Sequence, residues 1–236
     1  MPRPRVSNDP NDSNDERSER NERDDSNDMF LKICGITRLS DALHAAGHGA
    51  GALGFVFWPK SPRYVDPERA RAIVVALPPF IATVGVFVDQ APRLVNGVAA
   101  RVGLSAVQLH GDEPVDVLEA IDRPVVKALG LGQSMRTEDA EAWPARVRLL
   151  IDAHDPDRRG GTGQTVDWDR AAAIARRRPV LLAGGLQADN VAGAIRTVRP
   201  FGIDVSSGVE SSPGVKDHAR LRALFDAVNR ASVGEP

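Results

Sequence analysis

Phe30-Leu31-Lys32-Ile33-Cys34-Gly35-Ile36-Thr37 is an apolar run that stops at a glycine, and the turn that follows discriminates between two architectures. A doubly wound open sheet normally carries a glycine-rich G-x-G-x-x-G fingerprint after its first strand. Here the turn has Gly35 alone. From Met29 onward, short apolar runs alternate with longer segments of helical periodicity. Eight runs read as strands: residues 30–34, 52–57, 81–88, 106–109, 125–128, 148–152, 180–183 and 202–205. Helix-like segments lie between them at 41–46, 67–77, 92–101, 113–120, 138–143, 169–177 and 189–198, with a last one near 217–229. Asp66 before Pro67 is a capping residue followed by proline at a first helical position. Near-continuous apolar strands in strict alternation with helices imply a parallel sheet covered by helices. Eight units fit a compact (β/α)8 TIM barrel, with an open doubly wound sheet as the competing form.

The chain has 236 residues, 42% of them apolar, which supplies a globular core. Its first 28 residues are different, holding nine acids and five arginines with only Met1 and Val6 apolar. Such a segment cannot offset its own ordering entropy, so residues 1–28 read as a disordered tail and 29–236 as a single barrel domain. Without the tail, the 30 Lys+Arg and 32 Asp+Glu of the whole chain become 25 and 23. That balance argues against a dedicated nucleic-acid binder and leaves room for a local anion pocket. No run reaches the ~18 apolar residues of a membrane span and no leader is visible, so a cytoplasmic location is the expectation. The single cysteine excludes an internal disulfide and a multi-cysteine zinc site. The five histidines show no clustered ligand spacing, so no metal is expected. His44 and His48, one helical turn apart, read as a surface helix, and Arg176-Arg177-Arg178 as a solvated helix end.

In a barrel, chemistry gathers where strands end and the following loops begin. Lys32 and Cys34 are two apart and share one strand face, while Leu31 and Ile33 take the other. Cys34 is either buried filler or a reactive thiol, its proton loosened by Lys32 and held by apolar burial. Asp152 stands where the sixth run stops, as a loop cap or as a partly buried general acid. Gln108 and His110, two apart at the end of the fourth strand, are positioning candidates. Arg63, on the loop after the second strand, suits a carboxylate, and Asp89 ends the third strand as a cap or a substrate contact. Glycine-rich loops at 160–163, 183–186 and 206–209 follow strands six, seven and eight, where backbone N–H groups can grip a phosphate.

These stretches taken in order resemble one family, phosphoribosylanthranilate isomerase. The resemblance rests on Lys32-Ile33-Cys34-Gly35-Ile36-Thr37, Gly54-Phe55-Val56-Phe57, Ser61-Pro62-Arg63-Tyr64-Val65, Val84-Gly85-Val86-Phe87-Val88 and Val107-Gln108-Leu109-His110-Gly111. It continues in Gly160-Gly161-Thr162-Gly163, Asp204-Val205-Ser206-Ser207-Gly208-Val209-Glu210 and Pro213-Gly214-Val215-Lys216-Asp217, the last two expected to close the barrel. The resemblance implies a (β/α)8 isomerase of tryptophan biosynthesis that acts on N-(5′-phosphoribosyl)anthranilate by an Amadori rearrangement, with no cofactor. It implies Asp152 as general acid, Cys34 as general base, Arg63 on the anthranilate carboxylate, and Gly161, Gly184, Gly185, Ser207 and Gly208 on the phosphate. Lys32, Asp89, Gln108 and His110 complete the expected substrate site. The expected partner is the small-molecule substrate, not nucleic acid or membrane, and the chain is monomer or homodimer. The alternatives are another phosphosugar barrel, such as an aminoaldose isomerase of histidine biosynthesis or an indole-forming synthase, and a silent barrel that binds a phosphorylated metabolite.

Overall fold

The structure, a computed structural model, describes residues 29–131, 137–152 and 167–232. The expected tail, residues 1–28, and Gly161 lie outside the described residues. Eight parallel strands close into a barrel: β1 Phe30–Ile33, β2 Ala52–Val56, β3 Ala82–Phe87, β4 Ala106–Leu109, β5 Val125–Gly130, β6 Arg148–Asp152, β7 Val180–Ala183 and β8 Gly202–Val205. Closure is made by β1 on β8, in a register that sets Lys32 opposite Asp204. Each strand lies within two residues of its expected bounds, because a run buried on both faces has little freedom in where it starts and stops.

Alternation along the strands sorts the side chains. Leu31 and Ile33 join the large apolar layer between barrel and helices, whereas Ala128, Leu150, Leu181 and Ala183 fill the barrel interior. Leu149, Leu150 and Ile151 of β6 are fully buried, each contributing about 1.5–3 kcal/mol of apolar transfer. The outer layer is made by α1 Leu39–Gly47, α2 Pro67–Val75, α3 Pro92–Val102, α4 Trp168–Ala175, α5 Val191–Val198 and α6 His218–Ser232. Asp66 caps α2 by accepting from the Glu68 N–H at 2.9 Å, and Asp167 caps α4 by accepting from Arg170 N–H at 3.1 Å.

Four expectations need correction. The segment expected as a helix from Glu113 is a 3-10 stretch over Val115–Ala120, because the Glu113 carboxylate is held elsewhere, accepting from the N–H of Asp89 and Gly111 and pairing with Lys127 at 2.6 Å. The segment at 138–143 is a 3-10 turn, Thr137–Ala140, too short to nucleate an α-helix. Arg176 and Arg177 are exposed, but Arg178 is half-buried and its head group is engaged: the guanidinium donates to the carbonyls of Ala140, Trp143, Pro144 and Val147, tying the end of α4 to that turn. Finally, 213–217 does not close the barrel. It belongs to a small antiparallel hairpin, β9 Glu210–Ser212 and β10 Val215–Lys216, that follows β8. The His44/His48 pair is a packing contact: His44 stacks on His218 of α6 at 4.0 Å, and His218 reaches Asp41 at 3.0 Å.

Candidate active site

A cavity of about 630 Å³ opens at the C-terminal ends of the strands, within the size range of small-molecule sites. Its wall contains Cys34 from the end of β1, Arg63 from the loop after β2, Gln108 and His110 from β4, and Asp152 from β6. It also contains Gly184 and Gly185 after β7, and Ser207 and Gly208 after β8. Val56, Trp58, Val86 and Val88 form an apolar side. Residues from Cys34 to Gly208 meet there because every parallel strand ends on the same face.

Cys34 is 9% exposed, and its N–H donates to Val205 O at 2.8 Å, so β8 anchors it from behind. Burial pushes the thiol above its ordinary range; Lys32 pulls it down and Asp204 pushes it up, and burial prevails. The net direction is upward, so burial outweighs the loosening that Lys32 supplies. Lys32 does not line the cavity, contrary to its expected substrate contact. It is 1% exposed and its Nζ donates to Asp204 at 2.9 Å. Burial works to lower the Lys32 ammonium's affinity for its proton, but Asp204 and Cys34 outweigh it and the net shift is upward. Lys32 is thus a buried cation beneath the thiol.

Gln108 and His110 do come together. The Gln108 Nε2 lies 2.7 Å from His110 Nδ1; with the amide donating, the neutral ring carries its proton on Nε2, 3.9 Å from Asp152 Oδ2. Burial pushes the imidazole below its ordinary range, opposed by Asp152. The Gln108 Oε1 and Ser206 Oγ are buried with no hydrogen-bond partner among the described residues, and both residues line the cavity. Buried polar atoms are normally satisfied, so these two atoms are places in the cavity wall where water or a ligand's polar atom supplies the missing partner.

The loops after β7 and β8 interlock. A Cβ on Gly208 would lie 1.9 Å from Leu186 O, so only glycine allows that approach. Gly184 and Gly185 both hold positive φ, 98° and 62°, and space is open where a Gly185 side chain would be. The result is a rim of backbone beside the Ser207–Val209 turn, the kind of surface that receives an oxyanion.

Asp89 is a loop brace and not a cavity residue: its Oδ1 accepts from Asp112 N–H at 2.7 Å, and the exposed residue sits at φ 51°. Arg63 lines the cavity while its Nε and Nη2 hold Glu210 at 2.7–3.1 Å, and that bond raises the guanidinium's proton affinity further. Sequence reasoning missed Asp204, Trp58, Glu210 and Lys216. Asp204 had a signal, a charge inside the otherwise apolar run Gly202–Val205. Glu210 and Lys216 stand in stretches that carry the resemblance, but their roles were not read there, since their partners are set by the hairpin.

A sequence-family model described as N-(5'phosphoribosyl)anthranilate (PRA) isomerase matches residues 31–227. The chain is 51% identical over 195 residues to N-(5'-phosphoribosyl)anthranilate isomerase of Geobacter sulfurreducens, covering 83% of this chain and 96% of that one. Among solved structures it is similar to phosphoribosyl anthranilate isomerase from Thermotoga maritima, with TM-score 0.78, 44% identity, and 85% and 98% of the two chains covered. It is also similar to a phosphoribosyl anthranilate isomerase in complex with reduced 1-(o-carboxyphenylamino)-1-deoxyribulose 5-phosphate, with TM-score 0.75, 42% identity, and the same shares covered.

Proposed function

The chain belongs to the N-(5'-phosphoribosyl)anthranilate isomerase family, and from that premise we propose that it catalyses the Amadori rearrangement of N-(5′-phosphoribosyl)anthranilate with Asp152 as acid and Cys34 as base. The observation that carries this reading is that Cys34, Asp152 and the loops after β7 and β8 line one cavity. Asp152 protonates the furanose ring oxygen, and the C1′–O bond opens to an iminium. Cys34 then takes the C2′ proton, and the electrons of that C–H bond move to form the enolamine, which tautomerises to the ketone. The balance closes within the substrate, one proton removed and one returned, so no cofactor enters.

A buried thiol above its ordinary pKa is a scarce thiolate at neutral pH but a strong base when formed, and Lys32 beneath it supplies the cation that keeps the thiolate accessible. Arg63 holds the anthranilate carboxylate, and Val56, Trp58 and Val86 shelter the ring. Backbone N–H groups around Gly184, Gly185, Ser207 and Gly208, together with Gly161, hold the phosphate. Gln108 and His110 face the reacting carbons beside Asp152.

Further parts of the reading are that residues 29–236 work as one domain, that the tail 1–28 is dispensable, that the protein is cytoplasmic, and that it is a monomer or homodimer. Among the described residues no helix is long and apolar enough to cross a membrane. The test is a rate with freshly made N-(5′-phosphoribosyl)anthranilate and no added metal, for the full chain, a form lacking 1–28, Cys34→Ala and Asp152→Asn. Turnover by the first two and losses of about 10²–10⁴-fold in the others support the assignment. Turnover by either variant near the parent rate removes that residue from the chemistry, and substrate binding with no turnover by the full chain supports a metabolite-binding barrel instead.

A further inference from the structure

We propose that Glu210 is a positioning residue for substrate recognition: seated on buried Lys216, it holds one edge of the Arg63 guanidinium so that the other edge is presented to the substrate carboxylate. The inference rests on the carboxylate-grip reading of Arg63 and extends it to a residue that stands behind the cavity wall.

Arginine has five N–H donors in a planar fork. Glu210 takes the edge made by Nε and Nη2, with Nε at 2.9 and 3.1 Å from its two oxygens and Nη2 at 2.7 Å. Both Nη1 donors and one Nη2 donor remain for the cavity that Arg63 lines, a second fork that matches a carboxylate. The stem is confined as well. Gly35 sits at φ 76°, and a Cβ there would lie 2.7 Å from Arg63 Cδ, so the chain after β1 makes room for the arginine only as glycine. A flexible side chain is thus fixed from two sides before any ligand arrives, which lowers the ordering cost of binding.

Glu210 is itself immobilised. Its side chain is 4% exposed, and it also accepts from Gly214 N–H at 3.2 Å and Lys216 Nζ at 2.9 Å. Lys216 is fully buried and donates in addition to the carbonyls of Cys34 and Ser206. Burial would raise the Glu210 carboxyl, but Arg63 and Lys216 outweigh it and keep it ionised. One carboxylate between two cations leaves a single net positive charge, which an anionic substrate group neutralises. The β9–β10 hairpin therefore braces both the carboxylate grip and the backbone that carries the thiol.

The test compares N-(5′-phosphoribosyl)anthranilate with N-(5′-phosphoribosyl)aniline, which lacks the carboxylate, in the full chain, Arg63→Ala, Glu210→Gln and the double variant, with thermal melts of each. Glu210→Gln is expected to raise KM for the carboxylated substrate about 10- to 100-fold with kcat little changed. The aniline substrate should lose nothing, and the double variant should be no worse than Arg63→Ala. Equal losses on both substrates, or additive losses in the double variant, overturn the proposal and leave Glu210 a structural brace. Should Glu210→Gln not fold, Glu210→Asp keeps the charge and withdraws the fork; a KM rise confined to the carboxylated substrate supports the proposal, and equal losses refute it. An unchanged KM in Arg63→Ala overturns the carboxylate-grip reading itself, whereas a raised KM there with a normal one in Glu210→Gln overturns only the role of Glu210.

Discussion

Replacing Lys32 by methionine tests the electrostatics of the base at a residue that does not itself line the cavity. A Cβ on Gly54 would lie 2.8 Å from Cys34 Sγ and 3.2 Å from Lys32 Nζ, so the two head groups are at most about 6 Å apart. At an effective dielectric of about 20, unit charges at that upper limit of about 6 Å interact by about 2.8 kcal/mol, so the lysine is worth at least roughly 100-fold in thiolate population at fixed pH. The variant should therefore show kcat/KM at least about 100-fold lower at pH 7, with its rise toward alkaline pH displaced upward. Asp204, left buried without its partner at 2.9 Å, should cost about 3–5 kcal/mol of stability, a fall in Tm of about 6–20 °C for a barrel of this size. The assay is a pH series of kcat/KM on protein shown to be folded by near-UV circular dichroism, beside melting curves. A folded Lys32→Met whose profile superimposes on the parent, or whose loss is the same at every pH, would show that Lys32 does not act through the charge of the thiol.

Gly208→Ala drives a methyl into Leu186 O, so it should cost about 1–3 kcal/mol in stability and raise KM through a displaced phosphate rim; inhibition by inorganic phosphate, measured beside the parent, should weaken in parallel. Glu113 and Glu210 are both held below the ordinary carboxyl range: burial opposes this, and it is outweighed by Lys127 and the Asp89 N–H for Glu113 and by Arg63 and Lys216 for Glu210. Their folded pKa values are depressed, so their contribution is full above the ordinary value of 4.5 and is lost as pH falls through the lowered values. Melting temperature should accordingly fall below about pH 4.5, and Glu113→Gln should flatten that fall; an unchanged slope counts against the Glu113–Lys127 pair. Lys216→Met removes the support of Glu210 and of the Cys34 carbonyl together, so it should lower kcat and raise KM at once, where Arg63→Ala moves KM alone.

The eight strands and most helices were legible because their signals are local: apolar runs, a cap such as Asp66-Pro67, a glycine where the chain turns. The candidate acid and base were legible for a related reason, since a parallel barrel turns strand ends into a site and Cys34 and Asp152 stand at two of them. The 3-10 segment after Glu113 was not, because its outcome depended on Lys127, a residue of the next strand, competing for the carboxylate. Pattern also placed Lys32 on one strand face with Cys34 and could go no further. Whether that lysine meets substrate or a buried aspartate is fixed by barrel closure, which lays β1 against β8 and brings in Asp204 from 172 positions away. The Arg63–Glu210 bond spans 147 positions by the same route. Sequence alone determined the alternation of elements, the face each side chain takes and the set of residues at the strand ends. Tertiary structure alone decided their partners, and with them the direction in which the thiol's proton affinity moves and the edge of the guanidinium that Glu210 holds, because burial and charge pairing act through space between segments that the chain keeps far apart.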